Sequence, residues 1–104
     1  MLNQADNSLI TQTGPGTPGG DLLRRYWQPV ALSEELPQGG APIVLKVMGE
    51  ELTAFRDEQG RVGLLGLHCP HRAADLSYGR VEDGGLRCLY HGWLFDISGQ
   101  CLEQ

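Results

Sequence analysis

The sequence predicts an antiparallel all-β domain with a short helix near its N-terminus and two metal-ligand loops between strands. Three observations carry this. From residue 43 onward, short β-type runs are punctuated by turn residues. Upstream of them, residues 14–20 read Gly-Pro-Gly-Thr-Pro-Gly-Gly, which suits an irregular entry segment. Two short stretches, Cys69–His71 and Cys88–His91, each with one Cys and one His, fall between predicted strands.

Taken in order, Thr17 is placed to cap a helix with Pro18 at its first position, because a hydroxyl can accept from a free N–H there and proline has no N–H to leave unpaired. Leu22, Leu23 and Tyr26 or Trp27 give that helix an apolar side, and Pro29 is expected to end it. Glycines 19 and 20 weaken its first turn, so docking through Trp27 is expected to hold it. Strands are predicted at Ile43–Met48, Leu52–Arg56 and Arg61–Leu65, separated by Gly49-Glu50-Glu51 and Asp57-Glu58-Gln59-Gly60. Arg80–Glu82 and Leu86–Cys88 are joined across Asp83-Gly84-Gly85. Trp93–Phe95 and Gln100–Leu102 flank Asp96-Ile97-Ser98-Gly99. One domain over residues 1–104 is expected, with a lead-in to about residue 42 and the β domain over 43–104. Gln104 falls in what reads as a return strand, so the chain reads as C-terminally incomplete.

The balance of 8 Lys and Arg against 13 Asp and Glu, a formal charge of -5, disfavours nucleic acid and anionic lipid as partners. Residues 1–10 hold no Lys or Arg and no apolar stretch of signal-peptide length, and no apolar run could span a bilayer, so a cytoplasmic protein is expected. Three cysteines are too few for a disulfide framework and fit reduced thiols or metal ligands.

The chemistry lies in Leu67-His68-Cys69-Pro70-His71-Arg72 and Arg87-Cys88-Leu89-Tyr90-His91-Gly92-Trp93. The spacing is Cys-x-His, 16 intervening residues, then Cys-x-x-His. Cys69, His71, Cys88 and His91 suit either tetrahedral zinc or a two-iron cluster with one sulfur-ligated and one nitrogen-ligated iron. Zinc sites usually keep like ligands together, whereas here each loop contributes one of each kind. Two irons account for the mixture: Cys69 and Cys88 would hold one, His71 and His91 the other, and each loop would touch both metals.

Cys69-Pro70-His71-Arg72 and Cys88-Leu89-Tyr90-His91-Gly92-Trp93-Leu94-Phe95 closely resemble the Rieske [2Fe–2S] domain of ring-hydroxylating oxygenases, and Arg24-Arg25-Tyr26-Trp27-Gln28-Pro29-Val30-Ala31 resembles the N-terminal portion of their phthalate-dioxygenase-type α subunits. The resemblance implies a Rieske fold of antiparallel sheets with two cluster-binding loops. It also implies one-electron transfer from a reductase or ferredoxin to a mononuclear Fe(II) in a catalytic domain of the same or a neighbouring subunit, and hence membership of a dioxygenase or monooxygenase. That iron is held in the family by two histidines and a carboxylate. After the four ligands are assigned only His68 remains here, so this chain does not carry the oxygen-activating site. By the same resemblance His91 is the exit for electrons and His71 faces the donor or solvent. A stand-alone Rieske ferredoxin and a structural Cys2His2 zinc module are the alternatives.

Departures from high-potential Rieske proteins are informative. Where those carry a disulfide between the loops, this chain has Ala74 and Tyr90, and where they place Ser and Tyr hydroxyls after the second His-Gly, it has Trp93 and Phe95. Lost hydrogen bonds to sulfur destabilise the reduced, more negative cluster, so the potential is expected at the low end of the window of about -150 to +300 mV. His68 reads as a strand-end or surface residue, Cys101 as a packing thiol and Trp93 as core packing over the cluster. Arg72 is expected to pair with Asp75, with docking of a partner as the alternative, and Gly92 is the loop glycine expected to matter electronically, through a backbone amide aimed at the sulfides.

Overall fold

The computed structural model describes residues 1–104 as two helices, two 3-10 turns and seven strands, all antiparallel where paired. No helix is long and apolar enough to cross a membrane. The chain divides into two compact units, one formed by residues 1–30 with 46–50 and the other by 31–45 with 51–104.

The first unit holds α1 (Gln4–Thr11) and α2 (Pro18–Leu23). Helix α1 was not foreseen from its polar sequence. Its start is marked by Asn3, whose side chain accepts from the Asp6 N–H at 2.8 Å and satisfies one of the free donors of the first turn. Helix α2 begins as expected, with Thr17 Oγ1 accepting from Gly20 N–H at 3.1 Å. It ends at Leu23, well before Pro29, and Gln28 Nε2 donates to the freed Leu23 carbonyl. Trp27 does not dock: at 102% relative exposure it packs on nothing. The helix is held instead by α1 and by Arg24, which donates to the carbonyls of Thr13 and Met48 and pairs with Glu50 at 2.8 Å. Gly20 permits this arrangement, because a Cβ there would lie 2.4 Å from the Gly14 carbonyl oxygen.

β1 (Ile43–Val47), β2 (Glu50–Arg56) and β3 (Val62–Gly66) form a sheet in that order. The first turn is tighter than expected, with Met48 and Gly49 at φ +48° and +78°, the two left-handed residues of a type I′ hairpin. β2 is the central strand, and Thr53, Ala54 and Phe55 are all buried, whereas β3 alternates buried with exposed as a one-sided strand does. Phe55 lies opposite Gly63, whose missing side chain leaves room for the phenyl ring.

β4 (Arg80–Glu82), β5 (Gly85–Arg87), β6 (Leu94–Phe95) and β7 (Cys101–Glu103) form the second sheet, again in sequence order. Asp83 and Gly84, at φ +53° and +79°, make its first hairpin another two-residue turn. Phe55, Leu65, Leu76, Leu86 and Phe95 form the core, and Cys69 and Cys88 are part of it. Both ligand-bearing loops are therefore anchored in the same dry interior.

One turn design appears twice. Asp57 Oδ1 accepts from the N–H groups of Gln59 and Arg61, and Asp96 Oδ1 from those of Ser98 and Gln100. Gly60 and Gly99 close the two turns. Asp57 is fully buried. Burial pushes its carboxyl up, but bonds from the Arg61 backbone and guanidinium and from Gln59 outweigh that and hold it below the usual range.

Candidate metal centre

The four predicted ligands come together where β3 runs out into residues 69–74 and where β5 and β6 are joined by residues 88–93. Both loops close by the same pair of backbone bonds. Cys69 N–H donates to the Ala74 carbonyl at 2.7 Å and Ala73 N–H returns to the Cys69 carbonyl at 2.7 Å. Cys88 N–H donates to the Trp93 carbonyl at 2.8 Å and Gly92 N–H returns to the Cys88 carbonyl at 3.0 Å. Each loop needs a left-handed residue four positions after its cysteine, supplied by Ala73 at φ +60° and Gly92 at φ +80°. Gly92 therefore matters for its backbone conformation. A Cβ there would meet nothing within 4 Å.

Cys69 and Cys88 are free thiols, 2% and 3% exposed. Burial and the neighbouring Cys88 push the Cys69 thiol up, while the backbone N–H groups of His71 and Arg72 aim at its sulfur and favour the thiolate. Those amides are the donors a sulfur ligand needs when it carries charge. The two imidazoles face each other, with Nδ1 of His71 and Nδ1 of His91 at 3.3 Å. Two nitrogens bound at about 2.0–2.1 Å to one tetrahedral metal stand about 3.3–3.4 Å apart. Burial, together with His91 and Arg72 nearby, lowers the His71 pKa, which keeps its ring neutral and its lone pair free for a metal.

The donors form two pairs rather than one quartet. His71 and His91 form one close pair, and Cys69 and Cys88 lie near enough for one thiol to act on the other. A pair of thiols and a pair of imidazoles would suit a cluster with one sulfur-ligated and one nitrogen-ligated iron.

The surroundings differ between the two histidines. His71 is half-buried and stacks on the Trp93 indole, with ring centroids 4.3 Å apart and planes within 8°. His91 is exposed and touches Tyr90 at a tilt, with centroids 4.0 Å apart. Trp93 packs against the core as expected and is also a wall on the His71 side. The expected Arg72–Asp75 pair is not formed, because the Asp75 carboxylate accepts from the N–H and hydroxyl of Ser77 and caps the 3-10 turn Leu76–Tyr78. His68 is exposed at a bridge to Asp75 and takes no part in the site.

Arg87 was not singled out in the sequence. It donates to Glu82 at 2.6 Å, Asp83 at 3.0 Å and Glu103 at 2.9 Å, and to the Gly92 carbonyl at 2.8 Å. The Glu82-Asp83 pair across a hairpin from Arg87 was the available signal. The contact to Glu103 depends on β7 returning beside β6.

Comparison with known proteins agrees with this geometry. Over 103 residues the chain is 50% identical to the oxygenase subunit of 3-chlorobenzoate-3,4-dioxygenase from Comamonas testosteroni, covering 99% of this chain and 24% of that subunit. It is 45% identical to the oxygenase subunit of phthalate 4,5-dioxygenase from Pseudomonas putida, over 99% of this chain and 24% of that protein. The crystal structure of dicamba monooxygenase bound to dicamba superposes with a TM-score of 0.72 at 40% identity, covering 78% of this chain and 25% of that one. The chain thus spans about a quarter of the length of these relatives. The family model for the Rieske [2Fe-2S] domain matches residues 26–104, a stretch that includes both loops and every strand supporting them, and by that match the chain belongs to the Rieske [2Fe–2S] family.

Proposed function

We propose that Cys69 and Cys88 hold one iron of the cluster and His71 and His91 the other, and that the domain relays electrons within an oxygenase rather than serving as a free carrier. The observation that carries the ligand assignment is the pairing of donors, two buried thiols and two imidazoles whose Nδ1 atoms face each other at 3.3 Å. The oxygenase reading rests on relatives that are oxygenase subunits and align with nearly all of this chain.

When bound, a Rieske cluster accepts and releases one electron at a time. The protein sets the terms. The buried thiols exclude water from the sulfur side, and the amides of His71 and Arg72 stabilise charge on Cys69. His91, the more exposed imidazole, is the exit: its outer ring nitrogen is free to donate to an acceptor beside a mononuclear iron in the catalytic domain of the same or a neighbouring subunit. Electrons enter from a reductase or ferredoxin.

Redox titration of the cluster-loaded protein, followed by visible absorption, tests this reading. A reversible one-electron couple near the low end of about -150 to +300 mV is expected. The chain should take up no oxygen with an aromatic substrate unless joined to a catalytic domain. A colourless protein holding one zinc after expression under conditions that permit cluster assembly, or a midpoint near the top of that window, contradicts the reading.

A further inference from the structure

We infer that Arg87 is a positioning residue for the iron centre, fixing the Gly92–Trp93 peptide and, through it, the orientation of both histidines. The inference rests on the assignment of His71 and His91 as ligands.

The guanidinium is 19% exposed and its donors are directed at four acceptors. Three are carboxylates from three different places: Glu82 at the end of β4, Asp83 in the β4–β5 turn and Glu103 in β7. None of the three lies within the loop, so they hold the head group from outside it. The fourth is the carbonyl of Gly92, inside the loop and next to His91. A planar fork bound on several sides has little freedom left, and a lysine ammonium cannot reproduce that span.

The peptide that Arg87 holds has two aromatic neighbours. On its N-terminal side, Gly92 follows His91 directly and takes the left-handed conformation that closes the loop. On its C-terminal side, Trp93 stacks on His71 of the other loop at 4.3 Å. Rotation of the Gly92–Trp93 peptide would tilt the indole against His71 and move His91 relative to it. Arg87 therefore reaches both imidazoles without touching either. The first loop has no counterpart, since the residue before Cys69 is His68, which is exposed and makes no side-chain hydrogen bond, and the Ala73 carbonyl, equivalent to that of Gly92, accepts none.

The test compares R87K and R87Q with the wild type, all cluster-loaded, by electron paramagnetic resonance and nitrogen hyperfine couplings of the reduced centre. Circular dichroism records the fold in parallel. The expected result is a shift and broadening of the resonance and altered couplings from both histidines in R87K, at a secondary-structure content equal to the wild type. R87Q should show the larger change. A second pair, E103Q and E82Q, each removes one anchor and leaves the rest, and their spectra should stay close to wild type.

An R87K centre with the wild-type spectrum overturns the inference, as does a signal that falls only in proportion to loss of fold. If R87Q does not fold, R87K alone decides. A wild-type protein that yields no Rieske spectrum under cluster-assembling conditions defeats the ligand assignment itself, whereas a normal wild-type spectrum indifferent to Arg87 defeats only the clamp.

Discussion

Residues 69–74 and 88–93 each close by the same two backbone hydrogen bonds, from the cysteine N–H to the carbonyl five residues on and from the N–H four residues on back to the cysteine carbonyl. Each supplies one buried thiol and one imidazole. A far turn of the same Asx type, at Asp57 or Asp96, closes the hairpin that supports each loop. The differences lie in what is added to that plan. The second loop has glycine where the backbone turns left-handed and an arginine gripping its carbonyl, whereas the first places alanine in the left-handed position and leans its histidine on the partner loop's tryptophan. The second loop is tied to its own sheet by a side chain as well as by backbone bonds, and the first adds a stacking contact across to the second. His91 can then stay exposed for contact with an acceptor while His71 is shielded.

The largest effect separates the ligand pairs. Replacing either histidine by alanine, or either of Cys69 and Cys88 by serine, should abolish the normal cluster spectrum, while H68A and C101A should retain it. Visible and paramagnetic resonance spectra of the purified variants are sufficient. A normal spectrum from H91A would remove His91 from the site.

A smaller effect should distinguish the two walls. W93L removes a stacked partner of His71, a contact of the kind that contributes about 0.5–1.5 kcal/mol. It should alter the nitrogen couplings of one histidine more than the other. Y90L, which changes only a tilted and exposed neighbour, should leave His71 unaffected. Equal responses would mean that the stack does not hold the ring.

The left-handed positions predict effects of opposite sign. G92A should cost about 1–2 kcal/mol, since an L side chain is strained there even with open space around it. A73G should be neutral or stabilise by up to about 1 kcal/mol, the relief of strain being partly offset by a freer unfolded chain. Denaturant unfolding of both variants measures this, and loss of stability in A73G would show that Ala73 is held by contacts of its own.

The far turns should be distinguished by how stability changes in acid. Bonds from Arg61 and Gln59 outweigh burial at Asp57, and the hydroxyl and amide of Ser98 act likewise on Asp96, so both folded carboxyls lie below their ordinary value of 3.8. A lowered folded pKa means that the stabilisation is present above about pH 3.8 and is lost as pH falls through the folded value. D57N and D96N should each flatten the acid limb of stability measured between about pH 5 and 2. The effect should be greater for the buried Asp57, which also pairs with Arg61 at 2.7 Å.

Much of this was legible because the strands are short and the turns have distinctive chemistry. Arg80–Glu82 was read without error, and the remaining strands were placed to within about two residues. The proposed ligand set rests on residue type and spacing. Four features escaped. Helix α1 has no apolar face, so only the Asn3 cap announced it. Trp27 was expected to dock because a short helix weakened by Gly19 and Gly20 needs an anchor, yet the end of α2 is tied by Arg24 and Gln28 instead. The Trp93 stack and the Arg87 clamp join residues of separate elements, and no local pattern encodes the loop conformations that bring them together.

The central claim is that four donors from two loops form two like pairs, one on each iron. Its most direct measurement is nitrogen hyperfine spectroscopy of the reduced cluster in protein labelled with 15N-histidine, alongside iron and acid-labile sulfide counts. The account predicts two irons and two sulfides per chain with two coupled histidine nitrogens, both lost in the H71A and H91A variants. A cluster with no coupled histidine nitrogen, or one metal ion per chain without sulfide, would contradict it.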